Sequence, residues 1–362
     1  VKYFEFLVIG DVHLEAHSRY SLLEDWVTPV SRVMTQVKDY AKREGIKTII
    51  QLGDVFNSPY PLKTTQIAWL KMLDPDFDWH IIMGNHDYVY EEADGNQELG
   101  ESNAYTLLEY FEQMGALPHI HYYLKPTYKK LGGIPFNFLP FPYTQPKAKF
   151  RDENTGKSSI KIGHYEVGGY KMDNGFDIKS TNKADRLTIL GHIHTPQFPL
   201  YPGSLIQCNF GESPKKQFWH CTAVLKKGHL RVEKKVVPIV LPFQLVNVQV
   251  NNDEDLKQLD NYKDDTTHKY LLKLIVNKDV VLPADLKIRY NNIESIVGCN
   301  SKQQALALEK GVLIDNEVNS NLLDEKKLLK KYLKNSGLSK EDIKTSIKII
   351  NSIKPFSTGE AK

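Results

Sequence analysis

Five times in this chain a short apolar run ends in glycine and is followed at once by a side chain able to bind a metal ion. Leu7-Val8-Ile9-Gly10 precedes Asp11-Val12-His13, and Ile49-Ile50-Gln51-Leu52-Gly53 precedes Asp54. Ile81-Ile82-Met83-Gly84 precedes Asn85-His86-Asp87, Ile160-Lys161-Ile162-Gly163 precedes His164, and Thr188-Ile189-Leu190-Gly191 precedes His192-Ile193-His194. Between such runs lie helical stretches, Trp26 to Arg43 and Thr64 to Leu73, so the pattern predicts a layered α/β domain. In an open α/β sheet the carboxyl ends of neighbouring strands converge on one edge, where ligands bind. Glycine at those ends lets the chain turn sharply and leaves room beside a metal. Asp and Asn also favour turns after strands for purely local reasons, but that account leaves the repeated order unexplained.

The residue types point to a pair of cations. Oxygen and nitrogen donors without thiolate suit divalent Mn, Fe or Zn in a non-structural role. The three cysteines, Cys208, Cys221 and Cys299, are too scattered for a thiolate site or a disulfide framework and fit a reducing compartment. A carboxylate shared by two metals roughly 3.5–4 Å apart supports attack by a bridging hydroxide on phosphorus. Two divalent ions, two carboxylates and a hydroxide leave a net charge of about +1, which favours an anionic phosphodiester substrate and lets water ionise near neutral pH.

In this order, D-x-H, G-D, G-N-H-D, G-H and G-H-x-H resemble the calcineurin-like metallophosphoesterase superfamily over roughly the first 210 residues. The resemblance implies a layered β-sandwich flanked by helices. It also implies one metal on Asp11, His13, Asp54 and His194 and a second on Asp54, Asn85, His164 and His192, with Asp54 bridging. His86 would then be the catalytic histidine, protonating the leaving oxygen or stabilising the transition state, with Asp87 orienting it. Gly53-Asp54-Val55-Phe56-Asn57 and Gly84-Asn85-His86-Asp87 depart from protein phosphatases. Together with Gly163-His164-Tyr165-Glu166-Val167-Gly168-Gly169-Tyr170 and Tyr201-Pro202-Gly203-Ser204-Leu205, they are similar to the SbcD (Mre-type) nuclease family, especially its short phage recombination versions. Asn57 stands where relatives often carry Asp, at a position that is not a ligand.

The 362 residues, 41% of them hydrophobic, suffice for one sizeable core and an appendage. Two prolines, Pro238 and Pro242, punctuate the chain where a boundary is expected. The expected organisation is a core of the metallophosphoesterase kind over 1–240, a small α+β capping domain over 241–300 with strands near Gln244 to Val250 and Tyr270 to Val276, and a polar linker over 301–319. A helix-loop-helix follows over 320–354, with helices near Leu322 to Leu333 and Lys340 to Ile353, and then a tail over 355–362. Two such short helices are marginal in water alone. They pack on the capping domain or, as the resemblance implies, dock on the coiled-coil base of an SbcC-type ABC ATPase.

The formal charge of +3 is too small to announce a nucleic-acid tail. DNA enters as a partner through the resemblance, which implies a Mn-dependent nuclease, exonucleolytic on double strands and endonucleolytic on single strands, acting in recombination and end repair. Tyr60, Lys63, Tyr88, Lys125, Lys129, Lys130, Lys147, Lys149 and Arg151 are candidate DNA contacts, though a solvated surface is the simpler account of each. The surfaces of Thr64 to Leu73 and Ala104 to Met114 either pack at home or, by the same resemblance, make a two-fold homodimer contact. His17, His80, His119, His121, His220, His229 and His268 are expected to be ordinary surface or core residues. No run is long enough for a membrane span and the N-terminal run is too strand-like for a signal segment, so a cytoplasmic protein is expected. Two rival readings remain: an enzyme acting on another phosphodiester, such as a cyclic nucleotide, and a non-catalytic scaffold.

Overall fold

A computed structural model of the chain describes residues 1–15, 18, 20–23, 25–88, 117–142, 158–172, 177–182, 184–263 and 269–298. The first strand, β1 (Lys2–Ile9), shows how its sequence selects a layer. Successive strand side chains point to opposite faces. Phe6 and Val8 enter one apolar cluster and Leu7 and Ile9 another, so both faces of β1 are covered. The same holds for β2 (Thr48–Gln51) and β3 (Asp78–Ile82), where Ile50 and Ile82 face one way and Ile49 and Ile81 the other. Strands buried on both faces are near-continuous apolar runs and pair in parallel, as β1, β2, β3 and β4 (Ile120–Tyr123) do.

A hairpin of β9 (Gln217–Lys226) and β10 (His229–Pro238) completes this sheet, whose order is β10-β9-β1-β2-β3-β4. Lys227 and Gly228 at its turn both have positive φ, the conformation a two-residue hairpin loop requires. A second sheet, β5-β6-β7-β8, is built from β5 (Thr127–Leu131), β6 (Ile134–Leu139), β7 (Ile160–His164) and β8 (Thr188–Gly191). Its Phe136, Phe138, Ile160, Ile162 and Ile189 pack against Phe6, Val8, Ile50, Trp219 and Cys221 of the first sheet, forming a sandwich.

Helices α1 (Val27–Glu44) and α2 (Lys63–Met72) cover the outer face of the six-stranded sheet. In α1 the buried Val30, Val33, Met34, Val37 and Ala41 recur at helical spacing and make one apolar stripe. Gly45, left-handed at φ 72°, ends the helix by donating its N–H to the carbonyls of Ala41 and Lys42. Both helices begin and end within a residue of the bounds read from the sequence.

Beyond residue 240 a three-stranded sheet forms from β11 (Phe243–Val250), β12 (Lys269–Val276) and β13 (Ile293–Val297). All its pairings are parallel, and a 3-10 helix (Asp253–Tyr262) and a short α3 (Leu286–Arg289) lie in its two crossovers. The unit has its own core around Val250, Leu259, Leu272, Leu274 and Ile293. Phe243, Leu245 and Leu271 nevertheless belong to the core beneath α1. Two polar ties reinforce that seam. The Gln207 side chain accepts from Leu245 N–H at 2.9 Å, and Glu294 accepts from the backbone N–H groups of Ser21 and Leu22 at 2.6 and 3.0 Å. The helices expected at Ala104 to Met114, Leu322 to Leu333 and Lys340 to Ile353 lie outside the described residues, as do the linker, the tail and His17 and His268.

Candidate metal centre

The five strand ends do meet, but not along one sheet. β1, β2 and β3 deliver Asp11, His13, Asp54, Asn85 and His86 from the six-stranded sheet, while β7 and β8 deliver His164, His192 and His194 from the four-stranded one. The site thus forms where the carboxyl edges of two packed sheets come together. Backbone bonds lace the loops: Val12 and His13 both donate to Asp54 O at 3.0 Å, and Leu14 donates to Val55 O at 2.8 Å. His13, Asp54 and His192 hold positive φ of 48°, 51° and 87°, a conformation costly for side chains of this kind and concentrated at functional sites. Gly84 is required by contact rather than by φ, since a β-carbon there would collide with the carboxylate and backbone N of Asp54.

Donor atoms of Asp11, His13, Asp54 and His194 all lie within 4.8 Å of one another, and so do those of Asp54, His164 and His192. Asp54 belongs to both groups. Asn85 Oδ1 adds an oxygen to the second, 2.8 Å from His164 Nε2 and 2.9 Å from His192 Nδ1. In the first, His13 Nε2 and His194 Nε2 are 2.9 Å apart.

The outward side of each ring fixes which nitrogen faces inward. His164 Nδ1–H donates to Leu52 O at 2.7 Å, His194 Nδ1–H to Glu212 at 2.9 Å, and His192 Nε2–H to Glu166 at 3.3 Å. In their neutral form, rings so anchored would turn lone pairs toward the carboxylates and toward Asn85, with His164 Nε2 3.3 Å from Asp54 Oδ2 and His194 Nε2 3.4 Å from Asp11 Oδ2. Lone pairs at such separations repel unless positive charge stands between them. The titration behaviour agrees: burial disfavours a charge on His164, but the Asp54 carboxylate outweighs it and pushes the group up to about 9. Burial likewise opposes ionisation of Asp54, yet the imidazoles of His164, His13 and His86 hold its carboxyl well below the usual range. Asp11, with burial dominant, is pushed up to about 6. A buried donor set with this demand for positive charge fits a pair of divalent cations bridged by Asp54.

His86 stands beside the donors without joining either group. Its backbone N–H donates to Asp54 Oδ1 at 2.8 Å, and its ring packs edge-on against His13 with centroids 4.8 Å apart. The partner expected to orient it was Asp87; the structure corrects this. His86 Nδ1 meets Asn57 O at 3.1 Å, whereas the Asp87 carboxylate accepts from the backbone N–H groups of Val55, Phe56 and Gly84 at 3.0–3.2 Å. Asp87 is a fully enclosed staple joining two ligand loops, and its burial pushes it up to about 6.

Glu166 and Glu212, which hold two of the rings, were not singled out from sequence, nor was Cys208, whose sulfur lies within 4.8 Å of donor atoms of His13 and His194. Among the proposed DNA contacts, Tyr60 is 73% exposed, Lys63 begins α2, and Tyr88 packs on Phe141. Lys129 and Lys130 sit on β5, two strands from β7 and away from the donors. Lys147, Lys149 and Arg151 lie outside the described residues. Among the described residues, no helix is long and apolar enough to cross a membrane.

Residues 4–196, more than half of the chain, match the family described as Calcineurin-like phosphoesterase. The chain therefore belongs to the calcineurin-like phosphoesterase family. It is also similar to exonuclease subunit 1 of Enterobacteria phage T4, 24% identical over 200 residues that cover 52% of this chain and 55% of that protein. The match thus spans about half the length of the curated relative.

Proposed function

We propose that this chain is the nuclease subunit of an SbcCD-like complex, a Mn-dependent phosphodiesterase that processes DNA ends. The observation that carries the chemistry is Asp54, shared by two buried donor groups with His86 poised beside both. Asp11, His13, Asp54 and His194 would hold one cation, and Asp54, Asn85, His164 and His192 the other. Bound there, two divalent cations supply Lewis acidity and a hydroxide at neutral pH. The protein's own part is positioning. His86, pinned through Nδ1 to Asn57 O, keeps Nε2 available to give a proton to the leaving oxygen. Glu166, Glu212 and Leu52 O fix the three rings of His192, His194 and His164.

DNA as the substrate is supported by the likeness to a phage exonuclease subunit. That relative's description as a subunit also supports a partner, for which an ABC ATPase docked on residues 320–354 is the proposed identity, with a homodimer of this chain at the centre. The test compares turnover of linear DNA ends with that of a generic small phosphodiester, with Mn added. Preferential, metal-dependent cleavage of DNA that Asp54→Ala abolishes is the expected result. Turnover of the small ester alone would turn the reading toward a different phosphodiesterase.

A further inference from the structure

Next to the metal centre lies a pocket of about 190 Å³ lined by Leu14, Glu15, Asn57, Ser58, Tyr60, Pro61, Leu62 and Thr65. Its walls are tied to the catalytic loops. Leu14 follows His13 in the chain, Asn57 N–H donates to Leu14 O at 3.3 Å, and the Asn57 carbonyl is the group that anchors His86. A group held here is therefore next to the leaving side of a phosphodiester at the metals.

The lining specifies what kind of group. About 190 Å³ is well below the roughly 300–1,000 Å³ of sites for drug-sized ligands, and suits one ring system. Among the described residues Glu15 is the one charged side chain in the lining, so a phosphate is disfavoured inside and an uncharged ring is favoured. Leu14, Pro61 and Leu62 supply apolar wall. Tyr60 stands 73% exposed at the margin, an aromatic face without a ring partner among the described residues. Thr65 is 1% exposed, and among the described residues its hydroxyl has no hydrogen-bond partner. A buried hydroxyl left unpaired is costly, on the order of 1–3 kcal/mol, so a bond to a group seated in the pocket would stabilise it.

We infer that this pocket is a base subsite: it takes the base of the nucleotide flanking the scissile phosphate, stacked on Tyr60 and hydrogen-bonded by Thr65, while the phosphate stays at the metals. The inference rests on the proposed nuclease reading, which it deepens by making the enzyme grip one nucleotide beside the cut. Stacking on an aromatic tolerates every base, because each has a π-face.

The test is calorimetric and needs no turnover. The full chain, loaded with Mn, is titrated with inorganic phosphate and with deoxyadenosine 5′- and 3′-monophosphates. At least one nucleotide should bind about tenfold or more tightly than phosphate, the increment of one stacked base. Tyr60→Ala should erase that advantage and Thr65→Val reduce it several-fold, with phosphate affinity unchanged in both. Equal affinity for phosphate and both nucleotides in the wild type, or an advantage undiminished in Tyr60→Ala, overturns the subsite. Because Tyr60 is exposed, its variant folds even if Thr65→Val does not. Failure of the nuclease reading appears separately, as a wild-type chain that leaves DNA intact whatever its nucleotide affinity.

Discussion

Glu212 accepts the Nδ1–H of His194 at 2.9 Å while its other oxygen takes the buried ammonium of Lys216 at 2.6 Å. Lys216 in turn donates to His194 O at 3.0 Å and to Ser204 at 2.7 Å, so ring and backbone of one candidate ligand are held by a single ion pair. Burial opposes a charge on Glu212, but His194 and Lys216 bring its carboxyl down to about 2. Glu212→Ala should loosen metal binding by about 10–100-fold. It should also cost about 3–5 kcal/mol of stability by stranding Lys216. Glu212→Gln keeps an acceptor for His194 and should recover part of the metal affinity; metal titration and thermal unfolding of both variants check this.

His86 touches the donor groups only through its backbone N–H and its ring edge. His86→Gln should therefore bind two metal ions per chain, as measured by elemental analysis, while kcat falls about 100-fold or more. A variant that loses metal would make His86 a ligand and overturn the assignment.

Gly84→Ala places a methyl group where the Asp54 carboxylate lies. Wild-type protein should melt at higher temperature with Mn than without, because binding to the native state alone stabilises it. That shift should vanish in Gly84→Ala, as in Asp54→Ala.

His80 on β3 is buried, stacks on His121, Tyr123 and Phe138, and its Nδ1 lies 2.7 Å from the Tyr123 hydroxyl. Burial holds its titration down to about 3. The unfolded chain takes up this proton near pH 6.5 and the native chain does not, so the contribution is complete above that pH and is lost as pH falls toward 3. His80→Phe keeps the stack and removes the proton. Its stability should fall less steeply than that of the wild type between pH 6.5 and 3, by up to about 1.4 kcal/mol per unit in denaturant unfolding.

Why some of the site was legible and some was not follows from these residues. Glycine followed by Asp, Asn or His after an apolar run is a local pattern, so all the strand-end donors could be read directly. Which sheet each strand joins is not local. Ile49-Ile50 and Ile189-Leu190 are equally apolar because both are covered on two faces, and such runs carry no address. The groups that orient the rings escaped for another reason. Leu52 and Asn57 act through backbone carbonyls, which any residue offers, and Glu212 reaches His194 from a loop beyond β8 with nothing around it in the sequence to mark the contact. Asp87 misled because adjacency in sequence suggested a contact with His86, whereas its carboxylate is consumed by three backbone amides.

The grip of Glu294 on the amides of Ser21 and Leu22 has a mechanical meaning. Through Glu294 the three-stranded unit is moored to backbone that follows the ligand-bearing end of β1 in the chain, so one carboxylate takes part both in seating that unit and in shaping this loop.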